Sequence, residues 1–217
     1  MRKGTAISAA ALATLAATVA PANAWASPSG PTKVTISVAS VNGSGCPTKT
    51  ASVVVSPDNT AFTVAYSQYT AQAGGNSSPT DGRKNCQISL IVHVPGGFTY
   101  AIAATDHRGY ASLQSGAIAS QKASYYFQGL PTTTPIEHPI PAALKGNWQF
   151  GDKIPVPQLI YLPCGAERAF NINTELRVEV GDSDPSKVSF VSMDSTDGDI
   201  TTTYHFAWEK CPKPKQT

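Results

Sequence analysis

RKNCQISLIVHVPGGFTYAIAATDHRGYASL, residues 83 to 113, decides the fold. Ile88, Leu90, Val92 and Val94 fall on one side of an extended chain, and Phe98, Tyr100, Ile102 and Ala104 repeat the pattern after Pro95-Gly96-Gly97. Alternation with period two is the mark of a half-buried strand, and the proline-glycine step between two such runs predicts a β-hairpin. Cys86 lies in the first strand, and Asp106-His107 follows the second as exposed turn polar residues.

Outward from this stretch the same period recurs. Val34, Ile36 and Val38 alternate with polar residues, as do Val53 with Val55, and Phe62, Val64 and Tyr66. Residues 117 to 128 are strand-like and end in Tyr125-Tyr126-Phe127, whose neighbouring rings must point to opposite faces. Residues 129 to 146, threaded by Pro131, Pro135, Pro139 and Pro141, form the longest irregular segment. Trp148 and Phe150 resume the alternation. The C-terminal third then reads as a meander through Phe170 to Val180, Val188 to Met193, and Ile200 to Trp208, with Tyr204 and Trp208 in the core. No segment carries a sustained helical period with caps. The expected class is all-β, an antiparallel β-sandwich or jelly roll stapled by disulfides.

The N-terminus sets the compartment. Met1-Arg2-Lys3 is a positive head, Thr5 to Ala20 is an alanine-rich apolar run, and small residues at 22, 24 and 26 surround Trp25. This is the layout of a secretory signal peptide over residues 1–26, cleaved after Ala24 or Ala26. One β-sandwich domain is expected over 27–217, and no later run is long enough to span a bilayer. Only 14% of the residues are charged, the net charge is +2, and the charges are scattered, which excludes a phosphate-binding stripe and a nucleic-acid partner. Localisation is therefore expected to be extracellular.

Cys46, Cys86, Cys164 and Cys211 are an even set in an exported chain, which reads as a disulfide framework. No C-x-x-C pair offers a zinc site. Three pairings are possible, and loop-closure entropy does not choose among them; Cys46–Cys86 with Cys164–Cys211 is favoured because each bridge would clip neighbouring strands.

Gly45-Cys46-Pro47, the run Ser56 to Val64, Arg83-Lys84-Asn85-Cys86, Pro95 to Phe98, Asp106 with Arg108-Gly109-Tyr110, Tyr125-Tyr126-Phe127, Pro163-Cys164-Gly165, Asn171-Ile172-Asn173 and Trp208 through Cys211 occur in order. This series resembles the secreted domain-of-unknown-function 4360 family of bacteria and fungi. The resemblance spans the mature chain and implies an exported, cysteine-bridged β protein. It implies no activity and no catalytic residue.

Chemistry is sparse. Asp106-His107 has no G-x-S-x-G elbow to serve, and adjacent strand residues face opposite ways. Asp194, Asp197 and Asp199 make a weak calcium candidate without EF-hand spacing, so no metal is expected. Asp182-Ser183-Asp184-Pro185 is a second acidic turn, which a meander would place at the opposite sheet end. Glu175 and Glu179 sit on the polar side of a strand, and no carboxylate pair is suited to glycoside hydrolysis. Glu137-His138 is a carboxylate-histidine pair in the proline-rich segment. Exposed aromatics suited to a glycan or protein are sought at Tyr69, Tyr110 and Tyr126, with Asp106 and Arg108 as polar contacts.

The composition thus points to a secreted, non-catalytic binding module without a cofactor, its partner an extracellular protein or glycan. A coat-associated structural protein and a hydrolase with an unrecognised site are the alternatives. The natural product should begin at Trp25 or Ser27 by N-terminal sequencing, and its intact mass should show Asn42 and Asn76, both in N-x-Ser sequons, unglycosylated if the source is bacterial.

Overall fold

The computed structural model describes residues 30–133, 135–193 and 201–213. The expected signal peptide, Ile200, the acidic run with Asp194, Asp197 and Asp199, and the last four residues lie outside them. Twelve strands occur in the described residues. They are β1 (Thr35–Asn42), β2 (Ala51–Val55), β3 (Ala61–Tyr66), β4 (Thr70–Ala73), β5 (Arg83–His93), β6 (Phe98–Ser112), β7 (Ile118–Phe127), β8 (Ile136–Ile140), β9 (Lys145–Lys153), β10 (Phe170–Glu179), β11 (Ser189–Ser192) and β12 (Thr201–Lys210). The first sheet has the order β1-β5-β10-β7-β8, and the second β2-β3-β12-β6-β11-β4 with β9 also paired to β6. Every pairing is antiparallel. The all-β sandwich is as the alternation predicts, and it is disulfide-bridged as the even cysteine count predicts.

The expected hairpin at Pro95-Gly96-Gly97 does not form. β5 lies between β1 and β10 in one sheet, and β6 pairs with β12, β9 and β11 in the other. The turn, with Gly97 at φ 89°, instead carries the chain across the core. Alternation reports which side of a strand is buried, not which strand lies beside it. The two strands belong to different sheets, so next to the turn β5 pairs with β1 and β6 pairs with β12 instead of with each other.

A second departure lies within β6. Tyr100 and Ile102 point inward, but Phe206 pairs with Ile102 while the next residue back, His205, pairs with Ala104. Ala103 is the extra residue of a β-bulge, and it reverses the parity of all that follows. Thr105, His107 and Ala111 are buried, and Ala104, Asp106, Arg108 and Tyr110 take the outer face. Asp106 and His107 are therefore mid-strand, not in a turn.

Two further expectations give way. The segment 129–146 contains β8, an edge strand; Pro139 is tolerated there because an edge strand needs hydrogen bonds on one side only. The last three strands make no meander. β10 lies in the first sheet, while β11 and β12 follow one another along the same side of β6 in the second.

The core is aromatic. Phe62 stacks on Tyr204 at 4.9 Å, Phe206 and Tyr100 continue the layer, and Phe127, Phe170 and Tyr125 meet it from the opposite sheet. Tyr204 is fully buried, and Trp208 packs at the margin with its indole N–H donating to the carbonyl of Asn59. Within this core, both ring nitrogens of His107, both amide atoms of Gln121, the Thr202 hydroxyl and the Tyr204 hydroxyl are buried with no hydrogen-bond partner in the protein. A buried polar atom left unmet costs about 1–3 kcal/mol, so six together would rival the ~5–15 kcal/mol stability of a typical fold.

Cys46 is bonded to Cys86, joining the β1–β2 loop to β5, and Cys164 to Cys211, joining the loop before β10 to the end of β12. The close approach of the first loop to β5 requires Gly43, at φ 140°, where a Cβ would fall 2.1 Å from the Asn85 carbonyl oxygen. Each bridge closes a loop worth about 4 kcal/mol in the chain-entropy model. The denatured, unreduced protein should show no titratable thiol, and Cys164→Ser with Cys211→Ser should lower the unfolding free energy by about 4 kcal/mol in urea. Two reactive thiols, or an unchanged urea midpoint, would contradict the framework.

Candidate functional site

The bulge gathers polar and aromatic side chains on the outer face of β6. Asp106, Arg108 and Tyr110 stand in line at alternate positions, about 7 Å apart. In register beside them on β9 are Gly151, Gln149 and Asn147, and on β12 Thr203 faces Asp106 while His205 faces Ala104. The His205 Nε2 lies 2.8 Å from the Asp106 Oδ2. Glycine at 151 leaves the carboxylate room, since a Cβ there would lie 3.0 Å from its Oδ1. A shallow groove of about 590 Å³ opens here, lined by Ala104, Asp106, Gly151, Asp152, Lys153 and His205.

At the other end of the row Tyr110 is 38% exposed and lies nearly parallel to Phe190 of β11, ring centroids 6.0 Å apart. The backbone beneath is held flat from inside. Gly109 has no side chain because the Trp148 ring and the Ser192 carbonyl occupy that space, 2.1 and 2.2 Å from where a Cβ would sit. Arg108 has no ion-pair partner among the described residues.

A second cluster closes the gap between the sheets at the β8–β9 edge. His138 turns inward from β8, its Nε2 2.9 and 3.1 Å from the Asp152 carboxylate oxygens and its ring stacked on Phe150 at 4.6 Å. His138 and Asp152 come from different sheets, so the pair is a clasp across the sandwich. His107 lies behind it, fully buried. Burial holds its imidazole neutral, lowering the pKa to about 4, with Asp152 and Asp106 acting weakly in the other direction. Among the described residues no hydroxyl or thiol is hydrogen-bonded to the His138 or His205 imidazole, so neither histidine-aspartate pair has an assembled nucleophile.

The expected ligand-binding set divides accordingly. Asp106, Arg108 and Tyr110 come together on one face. Tyr69 does not join them: it is fully buried, its hydroxyl 3.1 Å from that of Thr174, because the inward face of the second sheet's rim carries it into the core. Tyr126 lies on the outer face of the opposite sheet, paired across to Asn171. Glu137 shares that outer face and accepts a hydrogen bond from Ser120 at 2.7 Å, so Glu137 and His138 are not a pair; strand alternation sends them to opposite sides. Glu175 bonds Arg83 at 2.8 Å. Among the described residues no group of three or more His, Cys, Asp or Glu side chains is placed to hold a metal ion. His205, Asp152, Gln149 and Phe190 were not picked out from the sequence. The inward run Tyr204, Phe206 implies an outward His205, but its meeting with Asp106, 99 residues away, has no local signal.

The domain-of-unknown-function 4360 family model matches residues 32–211. The chain belongs to that family. An uncharacterized secreted protein of Arthroderma benhamiae is 33% identical over 181 residues, covering 83% of this chain and 73% of the relative. The protein is secreted, in keeping with its two disulfides. Among solved structures, TmCBM61 in complex with β-1,4-galactotriose is similar at a TM-score of 0.31 and 10% identity, over 83% of this chain and 91% of that one. The enzymatically active domain of bacteriophage CBA120 tailspike protein 4 is similar at 0.26 and 13% identity, over 79% of this chain and 19% of that one. At TM-scores this low, neither similarity bears on what this family member binds or does.

The neutral burial of His107 has a measurable consequence. Its folded pKa lies below the unfolded value of 6.5, so the unfolded chain takes up the proton first as pH falls. The stabilisation is complete above about pH 6.5 and is lost between there and pH 4, by about 3 kcal/mol. Urea unfolding at pH 7 and pH 4 should show the wild type losing that much more than His107→Gln. Equal losses would show that the imidazole is not buried neutral.

Proposed function

We propose that this secreted protein is a non-catalytic binding module whose β6 outer face engages a carbohydrate chain. The observation that carries the proposal is the alignment of Tyr110, Arg108 and Asp106 on one strand, with the Tyr110–Phe190 ring pair at one end and the Asp106–His205 groove at the other. An exposed ring offers its face to the apolar C–H side of a pyranose. The adjoining planar guanidinium, the amides of Gln149 and Asn147 and a carboxylate can exchange paired hydrogen bonds with sugar hydroxyls. The strand backbone beneath these side chains is already ordered, so no loop has to be fixed on binding. The aligned row supports a ligand longer than one sugar ring.

Screening the mature protein on a glycan array, followed by titration of the best ligand, tests this. Tyr110→Ala should weaken binding by ~1–2 kcal/mol, roughly 5- to 30-fold, and Arg108→Ala by a comparable amount. Tyr126→Ala, on the opposite sheet, should leave affinity unchanged. Binding that survives Tyr110→Ala but falls with Tyr126→Ala would move the site to the other face. Turnover of a glycan or ester that disappears with Asp106→Asn or His205→Ala, while circular dichroism is unchanged, would make the protein a hydrolase.

A further inference from the structure

We infer that the interior between the two sheets contains a fixed cluster of water molecules bound by His107, Gln121, Thr202 and Tyr204. These four side chains hold six buried polar atoms without a partner in the protein. Native interiors do not leave such groups unmet; where protein cannot reach them, ordered water does.

The topology brings the four together. Gln121 of β7 pairs in register with His138, whose ring stacks on Phe150, and Phe150 pairs in register with His107. On the other side of β6, Thr203 pairs with Asp106, so Thr202 and His107 are the next residues on the opposite, inner face. The rings of Tyr204 and His107 are 6.2 Å apart. Gln121 belongs to one sheet and the other three to its partner, and no hydrogen bond joins them directly. The polar atoms thus line a layer between the sheets, behind the His138–Asp152 clasp.

The chemistry selects the occupant. A carboxamide, a neutral imidazole and two hydroxyls present both donors and acceptors, which calls for a molecule that does both at each contact. None of the four is charged when His107 is neutral, so an ion has no counter-charge among them. Water makes about three hydrogen bonds when buried, and two or three molecules would serve all six atoms. Leu176, paired in register with Gln121, and Ala119, two residues along the same face, are buried apolar neighbours on the Gln121 side.

A high-resolution crystal structure of the mature protein, with magnetic relaxation dispersion of water in solution, tests the inference. Two or more ordered waters should contact Gln121 and His107, and solution data should show waters held far longer than surface hydration. Gln121→Met should remove at least one long-lived water, and His138→Ala, at the clasp, should shorten the residence of those that remain. Three results would overturn the inference. One is the four side chains bonded to one another with no density between them. Another is an organic solute in their midst. The third is a wild-type protein with no long-lived water, a reading that needs no variant to fold.

Discussion

One inserted residue decides which side chains of the central strand β6 face outward and which face the core. Up to Ile102 the even-numbered residues of β6 face the core, and the period continued unbroken would bury Asp106, Arg108 and Tyr110 and expose His107. Burying an unpaired carboxylate and a guanidinium is far more costly than a local bulge, so the extra residue at Ala103 is where the chain resolves the conflict. The same reversal makes Gly109 an inward residue, which lets Trp148 lie against the backbone. The outer row and the inner polar layer are thus two faces of one parity change.

The two layers differ in how they are supported. Outside, the row is flat because β6 is held on one side by β9 and on the other by β12 and then β11, with Gly151 keeping space for the carboxylate. Inside, the aromatic block around Phe62, Tyr204 and Phe170 supplies apolar burial, while His107 and Gln121 lie towards the β8–β9 edge where that block ends. The clasp between His138 and Asp152 closes this edge from both sheets at once. Its geometry depends on Phe150, whose ring carries the imidazole.

Period-two alternation made the strands legible, and the signal-like head with four cysteines made the redox setting legible. What stayed hidden was partnership. Pro95-Gly96-Gly97 has the composition of a hairpin turn and of an inter-sheet crossing alike, since both need a sharp reversal and a residue at positive φ. The bulge has no sequence mark of its own, because Ala103-Ala104 is neutral as to side. Pro139 hid β8, although an edge strand accepts proline. Of the site, Asp106, Arg108 and Tyr110 were visible as residues, but their common face was not, and Tyr69 looked exposed because a tyrosine between Gln68 and Thr70 carries no sign of its depth.

The frequent change of sheet along the chain bears on how the protein reaches this state. Among the described strands only β2–β3 and β7–β8 are sequence neighbours that pair directly. Nearly all other pairings join distant segments, such as β1 to β5, β5 to β10 and β3 to β12. Loop closure must come before such contacts stabilise anything, which places the chain among the slow, high-contact-order folders. β12 is the last of the described strands yet supplies the centre of the second sheet, and Cys211 just past its end closes the second disulfide. That sheet cannot be completed until the chain as far as Lys210 is available, and its closing disulfide cannot form until Cys164 and Cys211 have both met an oxidising medium.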